Sequence, residues 1–286
     1  MTLILLLIAL GLVFFVDGLE RLRTSSWWIG YHYWTEKKLG HIGIWSGPFG
    51  VICLLLFPMV IVIGLQLYLD HYSWFLESLF TLALLIYCLS PEKLDRDLDF
   101  YISAIEEDND AERERLEAEL VSPEFATDSV SEVDVIKSSL LESQQRSFAV
   151  IFWFLILGIA GAVLYRLVSL LSSELREIRG GFADSVRDLL NILEWPSSRL
   201  TVLGMALAGH LMQALDGWRR NEKLSLGVNR EVLTEGGLGA LQYDAEVDVS
   251  SRGKAYWMRE LKGQLNRTLI IWLAVIAIMT LSGKIG

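Results

Sequence analysis

Three long apolar stretches constrain the fold of this chain more than any other feature. They cover residues 45–69, 72–90 and 147–168. A helix needs about 20 apolar residues to cross about 30 Å of hydrocarbon, and these stretches meet or approach that length. The composition agrees, because 52% of the 286 residues are hydrophobic and only 21% are charged. The sequence therefore predicts an all-α, polytopic helical membrane protein, with the lipid bilayer as its first partner.

Three shorter apolar stretches complete a predicted set of six crossings. They are residues 2–16, 200–216 and 268–283. With six crossings both termini lie on one side, and the positive-inside rule chooses that side. Three of the connecting loops hold 19 of the 25 Lys and Arg residues. Those loops are 17–44, 91–146 and 217–267. We therefore expect these loops in the cytoplasm and both termini outside it.

The acidity of the chain is concentrated in the loop 91–146. It carries 17 acidic and 6 basic side chains, although the whole chain has a net charge of only −10. Its first part repeats apolar residues every three or four positions, as an amphipathic helix does. Those residues are Leu94, Leu98, Tyr101, Ile102 and Ile105. Residues 182–194 have a similar pattern, typical of a helix along the membrane surface. We interpret the loop as a solvated helical hairpin, with an acidic docking surface for a basic protein partner as the alternative.

The residues that usually carry chemistry do not assemble into a recognisable motif. Four histidines lack the paired spacing of zinc ligands, and they are His32, His41, His71 and His210. The glycine run 236–239 lacks the Lys and Ser or Thr of a phosphate-binding loop. Asp95, Asp97 and Asp99 lack the glycine and glutamate of a calcium loop. The acidic chain also lacks the basic stripe that nucleic acid requires. We predict no metal, no cofactor and no nucleic-acid partner.

Two segments resemble the shared pattern of the AmpE and CobD/CbiB membrane proteins. The first joins Glu142 and Ser143 to an aromatic and glycine-containing helix, and the second is the stretch 193–200, Leu-Glu-Trp-Pro-Ser-Ser-Arg-Leu. The first segment continues through Phe152, Trp153, Phe154, Gly158, Gly161, Ala162 and Tyr165. The resemblance extends over about 90–241, including the helical segment after Asp95 and the glycines of 233–241. It implies one membrane domain over 1–286.

The two branches of this superfamily imply different functions. CobD/CbiB proteins join an aminopropanol unit to adenosylcobyric acid, as adenosylcobinamide-phosphate synthases of cobalamin biosynthesis. AmpE proteins are regulatory proteins of the bacterial inner membrane, associated with β-lactamase induction and the response to cell-wall stress. Where the cobalamin enzymes carry polar runs, this chain has 121–125, Val-Ser-Pro-Glu-Phe, and 144–148, Gln-Gln-Arg-Ser-Phe. These departures favour an AmpE-like signalling protein that is not an enzyme, with a CobD/CbiB-like synthase as the alternative.

The resemblance also nominates site residues and partners. Glu142, Trp195 and Arg199 lie in the two specific segments, so we expect them to converge near one membrane face as a binding patch. No catalytic residue is assigned. The AmpE-like interpretation implies a small cell-wall-derived ligand, and the acidic loop 91–146 is the surface available to a protein partner.

Overall fold

A computed structural model describes residues 2–15, 26–40, 43–125, 130–220, 226–244 and 251–282. These residues form helices and their connections, with no strand among them, which confirms the all-α prediction. The first six helices are α1 Thr2–Phe15, α2 Ser26–Leu39, α3 Pro48–Tyr72, α4 Trp74–Cys88, α5 Pro91–Glu106 and α6 Asp110–Leu120. The other six are α7 Glu132–Ser143, α8 Ala149–Glu174, α9 Gly181–Ala208, α10 Leu211–Arg220, α11 Asn229–Leu241 and α12 Ser251–Leu281.

Four helical segments among the described residues are long and apolar enough to cross a membrane. They are Pro48–Tyr72, Trp74–Glu106, Glu132–Glu174 and Gly253–Leu281. The second runs through α4 and α5 across a short interruption at Leu89 and Ser90. The three long predicted crossings lie in or largely overlap these segments, which confirms a polytopic helical membrane protein. The apolar helix α1 is shorter, at 14 residues.

Two of the shorter predicted crossings have other boundaries in the structure. Residues 200–216 are not one helix, because α9 ends at Ala208 and α10 begins at Leu211. The break occurs where the amide of His210 donates to the carbonyl of Ala240 at 3.0 Å instead of continuing α9. The last stretch belongs to a longer helix, since α12 already begins at Ser251. The loop expected over 217–267 therefore includes the helical start of α12, and its place on the cytoplasmic side stays a prediction.

The chain divides into two compact units. One contains Met1–Ser90 and Ala149–Trp195, and the other contains Pro91–Phe148 and Pro196–Lys284. The single domain expected over 1–286 stays a prediction beside this division.

The first unit packs the apolar helices α1, α3, α4 and α8 against one another. The aromatic helix α2 is fixed to α8 by Trp28, which is buried and donates from Nε1 to the carbonyl of Leu167 at 3.0 Å. Within α8, Gly158 has φ 66° and ψ −157°, which is not helical. A helix direction changes where one residue leaves helical geometry, so α8 kinks at Gly158.

The second unit has a core made by the amphipathic faces of its helices. Leu94, Leu98, Tyr101, Ile102 and Ile105 are all buried there, as their spacing predicts. Local sequence explains where the next helices begin. The side chain of Asn109 accepts from the amide of Glu112 at the start of α6. Ser131 and Asp134 form a reciprocal capping box at the start of α7.

Candidate functional site

Several buried polar side chains of the second unit lie in or near a π-helix. Residues Gln144–Phe148 form this π-helix between α7 and α8. Single π turns inside α-helices are rare and frequently occur at functional sites, because the extra residue redirects side chains. Glu142 and Arg146 form an ion pair across it, and both side chains are about three-quarters buried. The π-helix directly follows Glu142 and Ser143, which begin one of the two segments that carry the family resemblance.

Gln144 connects this π-helix to α9. Its Nε2 donates to the Oγ of Ser197 at 2.8 Å, and both residues are buried. Among the residues that the structure describes, none donates a hydrogen bond to the Gln144 Oε1. A buried polar atom without a partner costs free energy, so this carbonyl oxygen is available to a hydrogen-bond donor. The side chain can therefore orient an amine or a hydroxyl group.

Arg199 follows Ser197 by two residues in α9. Its guanidinium donates to Oδ1 of Asn229 at 2.9 Å, at the start of α11. Asn229 is only 2% exposed, so the contact fixes the arginine against a buried residue. The guanidinium is a planar, permanently charged group whose geometry suits carboxylate or phosphate oxygens.

Most other buried polar side chains in this unit satisfy themselves within their own helix. Ser139, Ser143, Thr201 and Thr268 each donate to a carbonyl three or four residues earlier. Gln264 is different, because it reaches from α12 to the carbonyl of Met205 at 3.0 Å. The buried polar side chains within this largely apolar core are therefore mostly neutral, apart from the groups around Glu142 and Arg199.

The glycine run of α11 has a packing role. A Cβ on Gly236 would lie 2.6 Å from Val202 in α9, and one on Gly237 would lie 2.6 Å from Leu140 in α7. A Cβ on Gly239 would lie 2.2 Å from the carbonyl oxygen of Gln213 in α10. Three neighbouring helices therefore approach α11 where it has no side chains. Close packing of these helices therefore explains the glycine run, and nucleotide binding is not needed to explain it.

The first unit contains a buried carboxyl group in the same sequence segment. Glu194 is 4% exposed, and the Tyr165 hydroxyl donates to its Oε1 at 3.2 Å. Trp153 donates from Nε1 to the neighbouring carbonyl of Leu193 at 3.0 Å. Trp195 itself is 36% exposed. In this segment a buried acid, Glu194, is therefore followed directly by a partly exposed aromatic side chain, Trp195.

The structure gives the three predicted site residues separate surroundings. Glu142 pairs with Arg146, and Arg199 bonds to Asn229, both within the second unit. Trp195 belongs to the first unit. Their convergence into one patch stays a prediction.

Gln144, Ser197 and Glu194 are buried polar residues that the sequence does not single out as site residues. Ser197 and Glu194 lie in the stretch 193–200, and Gln144 lies in the run 144–148, where the chain departs from the cobalamin enzymes. Charged and aromatic side chains are the usual signal of a site in a sequence, whereas a neutral amide or hydroxyl has no such signal. In the described part of the chain, no three His, Cys, Asp or Glu side chains are grouped closely enough to hold a metal ion.

These features define a helical membrane protein with a polar, hydrogen-bonded interior at its motif residues. The sequence profile of the CobD/Cbib protein family matches residues 14–234. This match covers more than half of the chain, so the chain belongs to the CobD/Cbib family.

The curated relatives that match carry names from one pathway. A "Cobalamin biosynthesis protein CobD" from Chromobacterium violaceum is 36% identical over 112 residues, which is 37% of this chain and 35% of the relative. A "Probable cobalamin biosynthesis protein CobD" from Pyrococcus furiosus is 33% identical over 155 residues, 50% of this chain and 52% of the relative. A third, from Stutzerimonas stutzeri, is 30% identical over 199 residues, 66% of this chain and 63% of the relative. The matches thus span about a third to two thirds of the relatives' length. No solved structure matches the chain.

These findings correct the functional interpretation of the sequence. The prediction of an AmpE-like regulator that is not an enzyme is wrong, because the family and its named relatives belong to cobalamin biosynthesis. The cell-wall-derived ligand followed only from that prediction and loses its basis. The error came from treating two missing polar runs as decisive, although neutral polar side chains such as Gln144 and Ser197 occupy the buried interior.

Proposed function

We propose that this protein acts in cobalamin biosynthesis as a synthase of the adenosylcobinamide-phosphate type. It would join the amine of an aminopropanol unit to an activated carboxylate of the corrin, with the activating group leaving as the amide bond forms. The match of the family profile over residues 14–234 carries this proposal. The names of three relatives support it.

The polar interior of the second unit offers groups suited to both substrates. Arg199, held by Asn229, can bind an anionic oxygen of either substrate. Gln144 can accept a hydrogen bond from the amine through its unpartnered Oε1, while its Nε2 remains on Ser197. Amide formation gains most from holding the amine close to the carbonyl carbon in the correct direction. We assign this positioning to Gln144 and anion binding to Arg199.

Genetic complementation tests the activity. The gene is expressed in a strain that lacks its cobinamide synthase, in a medium where growth needs cobalamin and only the precursor is supplied. We expect the wild-type chain to restore growth and Arg199→Ala to abolish it. Arg219→Ala removes an exposed arginine from α10 and should keep growth. A wild-type chain that reaches the membrane in normal amount and still gives no growth would refute the proposed reaction.

We also propose that the protein lies in the bacterial inner membrane with both termini in the periplasm. The distribution of Lys and Arg, with 19 of 25 in three loops, supports this orientation. A phosphatase fused after Gly286 should be active, and one inserted within residues 105–130 should be inactive. The opposite pattern would reverse the orientation.

The acidic segment 91–146 remains a proposed docking surface for a basic protein partner. Part of its charge is already neutralised inside the second unit, because Lys262 pairs with Asp95 and Asp99 at 3.0 and 2.6 Å. On α6, Asp110, Glu112, Glu117 and Glu119 also form ion pairs, whereas Glu114 is exposed. Replacing Glu114 and its exposed neighbours by Gln should weaken co-purification of such a partner, whereas an unchanged yield would exclude this face.

A further inference from the structure

We infer that α9 crosses the bilayer, although its composition does not identify it as a crossing helix. Its mean hydropathy is reduced by polar and charged residues, and it is absent from the four segments that qualify by length and hydropathy among the described residues. Three independent observations place it in lipid: its exposed face, its packing on α12, and the path of the chain.

From Ile192 onward, the exposed side chains of α9 are apolar. Ile192, Leu200, Leu203 and Leu207 are 51, 44, 36 and 65% exposed. The buried side of the same stretch combines apolar residues with polar ones, and the polar ones, Glu194, Ser197, Ser198 and Thr201, are at most 4% exposed. A helix surrounded by water usually exposes polar side chains instead. An apolar exposed stripe is expected when the surroundings are hydrocarbon, because intramembrane polar groups then face the protein interior and pair there.

The packing against α12 gives the depth of the second half of α9. A Cβ on Gly204 would lie 2.7 Å from the Trp272 indole and 3.1 Å from Thr268. Both residues belong to Gly253–Leu281, a segment that is long and apolar enough to cross a membrane. The exposed side chains Ile270, Val275 and Ile278 of that segment face lipid if it crosses. Gly204 and its leucine neighbours therefore lie at the same depth. Further along, Gly209 approaches the Gln264 amide, at the polar end of the apolar stretch.

The path of the chain requires a crossing in the same place. Helices α5 and α12 belong to one compact unit and are joined by Lys262, which pairs with Asp95 and Asp99. The polar segments before α8 and after α9 therefore lie on one side of the membrane. The segment Glu132–Glu174, which contains α8, is long and apolar enough to cross. If it crosses once, the chain must return before α10, and α9 is the helix that follows α8. With 28 residues, α9 is about 42 Å long, which exceeds the hydrocarbon thickness.

The occupant of the exposed α9 face is therefore the hydrocarbon of the bilayer. No Lys, Arg, Asp or Glu occurs from Leu200 to Leu215, and basic residues return at Arg219 and Arg220. That sequence suits a helix end that leaves lipid near the Gly209 turn and enters the headgroup layer. The predicted crossing at 200–216 is thereby replaced by a crossing in α9, which ends at Ala208.

Cysteine labelling tests the crossing directly. Cys53 and Cys88 are first replaced by Ala, and single cysteines are placed at Glu177, Glu114 or Asp216. All three positions are exposed. A membrane-impermeant maleimide added to intact spheroplasts should label position 177 but not positions 114 and 216. Positions 114 and 216 should react only after lysis. If positions 177 and 216 react from the same side, α9 does not cross and the inference is overturned.

Spin-label accessibility tests the lipid face in the purified full chain, reconstituted in phospholipid nanodiscs. Labels at Leu203 and Leu207 should collide readily with oxygen and poorly with a water-soluble nickel chelate, as a label at Ile278 should. A label at Glu114 gives the aqueous reference, and one at buried Met205 gives the protein-interior reference. Nickel accessibility equal to that at position 114 would show a water-exposed face. Low collision with both reagents at both leucines would show that protein, such as a second copy, covers it, and either result overturns the inference.

Discussion

Gln144 donates a hydrogen bond of 2.8 Å to Ser197 and thereby joins the π-helix to α9 across 53 residues of sequence. Both partners are buried, so water cannot replace either one if it is removed. This bond joins the run 144–148, where the chain departs from the cobalamin enzymes, to the stretch 193–200, which carries the family resemblance. It explains why neither segment alone defines the polar interior.

A double-mutant cycle should measure this bond. Gln144→Met and Ser197→Ala are each expected to lower the free energy of unfolding by about 1–3 kcal/mol, because each leaves a buried polar partner behind. The double variant should lose less than the sum of the two, by about 0.5–1.5 kcal/mol. Thermal unfolding in detergent provides the measurement. Strictly additive losses would show that the bond contributes no coupling.

Gly239→Ala should destabilise the second unit. The added Cβ would meet the Gln213 carbonyl oxygen at 2.2 Å, and a backbone atom cannot move aside as a flexible side chain can. We expect a loss of about 1–3 kcal/mol, as for overpacked interiors. Gly263→Ala in α12 is the matched control, because its nearest neighbour is the Arg267 side chain at 3.7 Å. The control should be neutral or slightly stabilising, since alanine favours helix over glycine. Equal melting temperatures for the two variants would contradict the close approach.

Gly158→Ala should be destabilising for a conformational reason alone. In the described part of the chain, an added Cβ would meet no atom of another element within 4 Å, but φ is 66° and ψ is −157°. This region is essentially restricted to glycine and costs other residues about 1–3 kcal/mol. Gly64→Ala, also in open space but within the regular helix α3, is the control. If both variants melt at the wild-type temperature, the kink at Gly158 is not required.

The stability of the first unit should decrease at acidic pH through His32. Burial lowers the pKa of His32 below its ordinary value of 6.5, and the carboxylates of Glu36 and Glu174 oppose that effect only in part. Neither ring nitrogen has a hydrogen-bond partner, so nothing in the described residues stabilises an added proton by direct contact. The unfolded chain therefore binds the proton more readily, and stability falls as pH decreases through about 6.5.

His32→Phe should remove this acid sensitivity and keep the ring stacked on Phe182, whose centroid is 5.4 Å away. The melting temperature at about pH 7.5 and at about pH 5.5, on either side of the ordinary histidine pKa, gives the comparison. We expect the difference between the two to shrink in His32→Phe and to persist in His71→Phe, which changes an exposed histidine. A wild-type difference that survives in His32→Phe would assign the acid sensitivity to other groups.

Hydrophobic periodicity was sufficient to predict the apolar helices and the buried face of α5, because burial of a continuous apolar stripe depends mainly on the local pattern. The same reasoning predicted one helix over 200–216, which is wrong, and it did not show that α12 begins as early as Ser251. A close approach of α9 to α11 ends the first at Ala208, and ion pairs with α5 accompany the helical start of the second. Such contacts join residues far apart in sequence and have no local signature.

By itself, the sequence determined the all-α membrane architecture and the two segments that resemble a known superfamily. Local helix geometry and the length of apolar runs are properties of neighbouring residues, so they can be derived without tertiary contacts. The tertiary structure decided which polar residues meet, including Gln144 with Ser197 and Arg199 with Asn229. It also decided that the α11 glycines receive three helices. Both results depend on packing between elements that are distant along the chain, where side-chain shape and satisfied hydrogen bonds select one arrangement.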